Sequence, residues 1–87
     1  MKRKLKLCDL CDSEGGYISE MHVKSPLRRR LLDIGLTENT FVQCVGKSPA
    51  GDPAAYEFRG SVFAVRAADA ANIIIEKEKP GEADIYE

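Results

Sequence analysis

Hydrophobic residues in this chain fall in short groups whose spacing changes from two to about four and back again, the mark of strands interrupted by a helix. The first group runs from Gly16 to Val23, is rich in β-formers, and follows the turn-prone run Asp12-Ser13-Glu14-Gly15, which predicts a strand. Ile18 and Met21 lie on opposite faces of an ideal strand, so a bulge is expected between them. Ser25-Pro26 then offers an N-cap oxygen followed by a residue whose missing N–H costs nothing, and Gly35 can take the left-handed conformation that ends a helix. A helix of about nine residues is predicted between them, with Leu27, Leu31 and Ile34 at i, i+4 and i+7 forming one buried stripe and Leu32 beside it. With Gly35 at C′, Leu36 falls at C″ and meets Leu31, which completes a Schellman motif.

From Thr40 the period returns to two: Val42 and Cys44 share one face, while Phe41, Gln43 and Val45 share the other. The breaker-rich run Lys47 to Pro53 leads to a strand in which Ala54, Tyr56 and Phe58 alternate with Ala55, Glu57 and Arg59. Arg59-Gly60-Ser61 supplies a tight reversal into a third strand carrying Phe63 and Val65. Ala67 to Ala71 reads as one helical turn, and Asn72 to Lys77 as a closing strand. About five short strands with one short helix between the first and second predict a mainly β protein, and a small, strongly bent β-barrel is the economical way to avoid bare sheet edges. Residues 1–79 are expected to form a single domain, and 80–87, polar and broken by Pro80-Gly81, a mobile tail.

Composition narrows the function classes. A length of 87 residues accommodates one domain, and 44% hydrophobic with 31% charged residues is an ordinary globular balance. No apolar run approaches membrane-span length, and the basic start Met1-Lys2-Arg3-Lys4 is followed by no signal-type apolar region, so a cytoplasmic protein without direct membrane insertion is expected. A net charge of −1 supplies no cationic field for nucleic-acid phosphates, and nucleic acid is not an expected partner. The basic start and the acids Glu76, Glu78, Glu82, Asp84 and Glu87 read as two solvated ends.

The candidate chemistry is sparse. Gly46-Lys47-Ser48 resembles the end of a phosphate loop, but Phe41 stands where the first glycine is required. Cys8-Asp9-Leu10-Cys11 has a spacing that lets two thiolates reach one ion, and His22 and Cys44 are the remaining candidate ligands. Cys44 shares its face with Val42 and reads as a core residue, which leaves Cys8, Cys11 and His22 as weak candidates for iron or zinc; no cofactor is expected. His22 is the single histidine and is accompanied by no nucleophile elbow or paired-carboxylate signature, so the chain does not read as an enzyme. Arg28, Arg29 and Arg30 spread over most of a helical turn and cannot all be buried, with Asp33 in reach of Arg29 at i+4. They are the candidate partner-binding residues.

The segment Leu27-Arg28-Arg29-Arg30-Leu31-Leu32-Asp33-Ile34-Gly35-Leu36-Thr37 is similar to the R-x-L-x-x-M/I-G-L helix ending of the FeoA family. Gly51-Asp52-Pro53, Arg59-Gly60, and Val65-Arg66 followed by Ala70 and Ile73 support the likeness, and the chain resembles that family over residues 5 to 77. It departs where Asp12-Ser13 and Glu38-Asn39 replace Pro-Gly pairs, which keeps turn chemistry, and in Cys8 and Cys11, which lie outside the family pattern and gain no metal role from it. The resemblance implies an SH3-like barrel and a small cytoplasmic adaptor of ferrous-iron uptake. Its implied partner is the FeoB-type permease, with a cytosolic GTP-binding domain, whose assembly or activity it would modulate. The alternative is a transition-metal-binding regulatory module, since a related module forms the C-terminal domain of iron-dependent repressors.

Overall fold

The computed structural model describes residues 4–24 and 26–77. Ser25, the expected N-cap, and residues 78–87, which hold the expected tail, lie outside the described residues. The described residues fold as one six-stranded sheet whose paired neighbours are all antiparallel, with two short α-helices and one 3₁₀ turn.

The mainly β expectation holds, with one strand more than the alternation predicts. β1 (Lys4–Lys6) belongs to the basic start expected to be solvated, yet it pairs with β6 (Ile73–Glu76), Leu5 facing Ile75. Lys4 and Lys6 stay exposed while Leu5 packs against the core, so a strand of only three residues is held by its partner and not by its own propensity. A 3₁₀ turn (Leu7–Asp9) follows, in which the Asp9 carboxylate accepts the Lys6 N–H at 3.1 Å and Leu7 enters the core, joined by Leu10 just beyond it. The reversal at Asp12-Ser13 uses a positive φ of 76° at Ser13, and the Glu14 carboxylate accepts the Cys11 N–H at 2.7 Å.

β2 (Gly15–Met21) lies between β6 and β3 (Phe41–Lys47), and its register with β6 shifts between Ile18 and Glu20, the bulge that the spacing of Ile18 and Met21 requires. A Cβ at Gly15 would sit 2.8 Å from the Val42 carbonyl oxygen, so this crossing of two backbones admits only glycine. β3 carries Val42 and Cys44 inward and continues through Gly46 to Lys47. β4 (Ala54–Phe58) buries Ala54, Tyr56 and Phe58, as its alternation predicts, and β5 (Ser61–Val65) follows through the Arg59-Gly60 reversal. α2 (Ala67–Ala70) then returns the chain to β6.

The strand order is β1-β6-β2-β3-β4-β5, so the last strand inserts between the first and the second. β1 and β5 are the two ends of this order and are not paired with each other, which leaves the barrel open along one seam. Leu7, Leu10, Ile18, Leu36, Val42, Tyr56, Ile73 and Ile75 form the centre of the core. The Tyr56 hydroxyl lies 3.5 Å from the Leu7 carbonyl oxygen, and burial, with the nearby Cys44 and Cys8 thiols and Asp52 adding to it, pushes its pKa up to about 12. On β6, Glu76 is also buried; one carboxylate oxygen accepts the Ser19 hydroxyl at 3.1 Å and the other has no partner among the described residues.

α1 (Leu27–Asp33) is the helix expected between the first two strong strands, and it is shorter than predicted. Its end is the Schellman motif: Gly35 has φ 97°, the Leu36 N–H donates to Leu31 O at 2.9 Å, and the Gly35 N–H donates to Leu32 O at 3.0 Å. The predicted buried stripe needs correction. Leu31 is buried and Leu27 partly so, but Ile34 is 49% exposed and Leu32 41%. The helix stops at Asp33, so the 3.6-residue period no longer applies at Ile34, and Leu36 takes the inward place beyond the turn.

Candidate functional site

The three arginines sit on α1, outside the sheet, and all three are exposed. They are not equivalent. Arg28 donates from Nη1 to the Met21 carbonyl oxygen at 2.6 Å, which fixes its guanidinium against the end of β2 although no acid of its own helix lies within reach. Arg29 and Arg30 form no salt bridge among the described residues, and the ion pair expected between Arg29 and Asp33 is not made. Two guanidinium groups are therefore left without an acidic partner among the described residues.

Apolar side chains flank them on both sides. Arg28 and Arg29 share a shallow cavity of about 340 Å³ with Leu32 and Asp33. On the opposite flank an open groove of about 470 Å³ runs between α1 and β5, lined by Leu27, Arg30, Ile34, Val62, Phe63 and Ala64. Ile34 and Val62, the latter 62% exposed, were not predicted to stand at the surface. The signal for Val62 was present in the alternation, because a strand that turns Phe63 and Val65 inward must turn Val62 outward.

The cysteine and histidine candidates are not gathered. Cys8 sits in the 3₁₀ turn and packs partly against the core, Cys11 is exposed in the following loop, and Cys44 is buried in β3. Cys11 is tied to Glu14 just before β2, whereas His22 lies just after it. A strand of seven residues separates those points by roughly 20 Å, too far for one ion. His22 instead holds Glu20 at 2.7 Å, and Lys4 reaches the other oxygen of the same carboxylate at 3.3 Å. Those two hydrogen bonds keep the Glu20 carboxyl below its ordinary pKa, as the Cys11 N–H and the Lys77 charge do for Glu14. Among the described residues no three His, Cys, Asp or Glu side chains converge as a metal site.

This arrangement of sheet and helix recurs in solved structures. A FeoA protein from Chlorobium tepidum is 25% identical, with a TM-score of 0.77 over 83% of this chain and 70% of that one. A FeoA-like protein from Clostridium acetobutylicum is 28% identical, with a TM-score of 0.74 over 87% of this chain and 88% of that one. The FeoA of Stenotrophomonas maltophilia, solved with zinc and described as a procaryotic SH3 domain protein and candidate ferrous-iron transport activating factor, shares the fold at 23% identity and a TM-score of 0.67, over 82% of this chain and 88% of that one. Among curated proteins none matches the chain. The FeoA domain profile matches residues 5–77, all but the first residue of the described sheet, and the chain belongs to the FeoA family, associated with ferrous-iron transport.

Proposed function

We propose that this chain is a cytoplasmic adaptor of ferrous-iron uptake, which binds the cytosolic GTP-binding domain of a FeoB-type permease and modulates its assembly or activity. Family membership supports the transport context. The observation that carries the binding role is the α1 surface, where the unpaired charges of Arg29 and Arg30 stand beside the exposed Leu32 and Ile34. Apolar contact area provides affinity, and guanidinium groups orient an acidic partner surface and raise its encounter rate. A domain this small presents only a standard or smaller interface, ~1,200 Å² or less in total, so a few such residues carry most of the energy. Arg28, tied to Met21, acts as the fixed end of the same cationic row. The test is capture of the purified permease domain by the parent chain and by Arg29→Glu/Arg30→Glu. The variant should fold with an unchanged circular dichroism spectrum and lose at least about tenfold in affinity, most strongly at low salt. Equal capture by both proteins at low and physiological salt would refute the assignment.

A metal-binding regulatory role is the second reading, favoured by the zinc in the Stenotrophomonas relative. The separation of Cys11 from His22, with no three His, Cys, Asp or Glu side chains converging among the described residues, argues against it in this chain. Elemental analysis of untagged protein should find no stoichiometric iron or zinc. One metal per chain, lost in Cys8→Ser/Cys11→Ser, would reverse the order of the two readings.

A further inference from the structure

The sheet has two edges, and they are built differently. β1 is three residues long and displays Lys4 and Lys6, the short and charged form that discourages pairing with another chain. β5 is five residues long, reads Ser-Val-Phe-Ala-Val, contains no charge and no proline, and keeps a regular register with β4. None of the usual devices that blunt an edge is present in it.

The register shows which of its backbone groups have no partner among the described residues. Arg59 and Gly60 both have positive φ, 51° and 83°, as a two-residue type I′ turn requires, which makes Phe58 and Ser61 a hydrogen-bonded pair. Alternate pairs along the ladder, Tyr56 with Phe63 and Ala54 with Val65, then also exchange hydrogen bonds. The N–H and C=O groups of Val62 and Ala64 point the other way, out of the sheet's end. These same two residues carry exposed apolar side chains, and the groove shared with Leu27 and Ile34 runs beside them. Cationic residues frame the strand: Arg59 before it, Arg66 after it and Arg30 across the groove, all exposed, with Asp33 the one acid in the groove lining.

We infer that the β5 edge is a docking strand for an extended segment of a partner protein that alternates apolar and acidic residues and adds to the sheet as a seventh strand. The free groups of Val62 and Ala64 supply the ladder, Val62 and Ile34 the apolar contacts, and Arg30, Arg59 and Arg66 the selection for acids. A second copy of this chain fits less well, because antiparallel pairing of two β5 strands about Phe63 brings Arg59 of each close to Arg66 of the other, with like charges at both ends. The inference rests on the adaptor reading but not on the identity of the partner.

The test uses the full chain and a synthetic capped hexapeptide alternating glutamate and valine, with a lysine-valine peptide as control. Titration followed by amide resonances should shift Val62 and Ala64 saturably with the acidic peptide, slow their hydrogen exchange by about tenfold or more, and leave them unmoved by the basic one. Ala64→Pro removes an outward N–H that no internal bond uses, so the sheet should survive while peptide affinity falls about tenfold or more. Should that variant fail to fold, Ala64→Glu, opposite the uncharged Ala55, sets a like charge against the acidic peptide on the same edge. Unmoved Val62 and Ala64 amides, equal binding of both peptides, or undiminished binding in a folded edge variant would each overturn the inference. Protection of these amides without peptide in a self-associating chain would assign the edge to a second copy and overturn it as well. None of these outcomes bears on permease capture, so failure here is distinguishable from failure of the adaptor reading.

Discussion

Replacing Gly35 tests whether the exit of α1 is set by backbone conformation. Its φ of 97° lies in the region that residues with a Cβ avoid, and the two hydrogen bonds to Leu31 O and Leu32 O depend on it. Space is not the obstacle: a Cβ there would meet Arg59 Nη1 at 3.5 Å and Phe58 Cε2 at 3.9 Å, both ordinary contacts. The penalty for alanine is therefore the conformational one, ~1 to 2 kcal/mol, and valine adds its branched methyls next to the Phe58 ring. With a urea slope of ~1 kcal/mol/M for a chain of this size, Gly35→Ala should lower the unfolding midpoint by about 1 to 2 M and Gly35→Val by more. Gly46→Ala is the control, since that position has open space and no positive φ, and it should leave the midpoint unchanged or slightly raised. A Gly35→Ala midpoint within about 0.2 M of the parent, or an equal loss at Gly46, would refute the reasoning.

Tyr56 predicts an alkaline limb: with its pKa raised from 10 to about 12 the fold holds the phenol neutral, so stability present below pH 10 is lost as pH rises towards 12. Fully realised, that gap is worth up to about 3 kcal/mol, and Tyr56→Phe should move the alkaline unfolding midpoint upward while changing neutral stability little, because the hydroxyl's one hydrogen bond among the described residues is a long one. On the acid side Glu14 and Glu20 have carboxyls lowered from 4.5, so their contribution is present above that value and fades as pH falls through the lowered pKa. Glu14→Gln/Glu20→Gln should flatten the acid unfolding limb slightly, as befits exposed groups.

The elements legible in the chain are those whose signal is local. Val42 with Cys44, and Ala54 with Tyr56 and Phe58, alternate cleanly and were buried as their phase requires, and the Gly35 turn was specified by its own residues. β1 was not legible because its two lysines mimic a solvated end; only Leu5 opposite Ile75, a contact between distant parts of the chain, makes it a strand. Ile34 misled because the helical period was carried one residue past the last helical residue. At the candidate site, the exposure of the arginines followed from their crowding on one turn. The Arg28 bond to Met21 had no sequence signal, being a side chain reaching a backbone oxygen on another element. Nor did the free edge at Val62, because strand order is a property of the whole sheet.

That order also has a consequence for synthesis. β1 is the earliest strand of the sheet, yet its only neighbour, β6, is the latest, and β2 likewise lacks one of its two neighbours until Ile73–Glu76 is available. On the ribosome, the hairpins from β3 to β5 have all their pairing partners before the sheet can be finished, while Leu5 and Ile18 wait for Ile75. Completion of the sheet is thus a late step of high sequence separation, and a nascent chain halted before residue 73 would carry β2 as a second open edge.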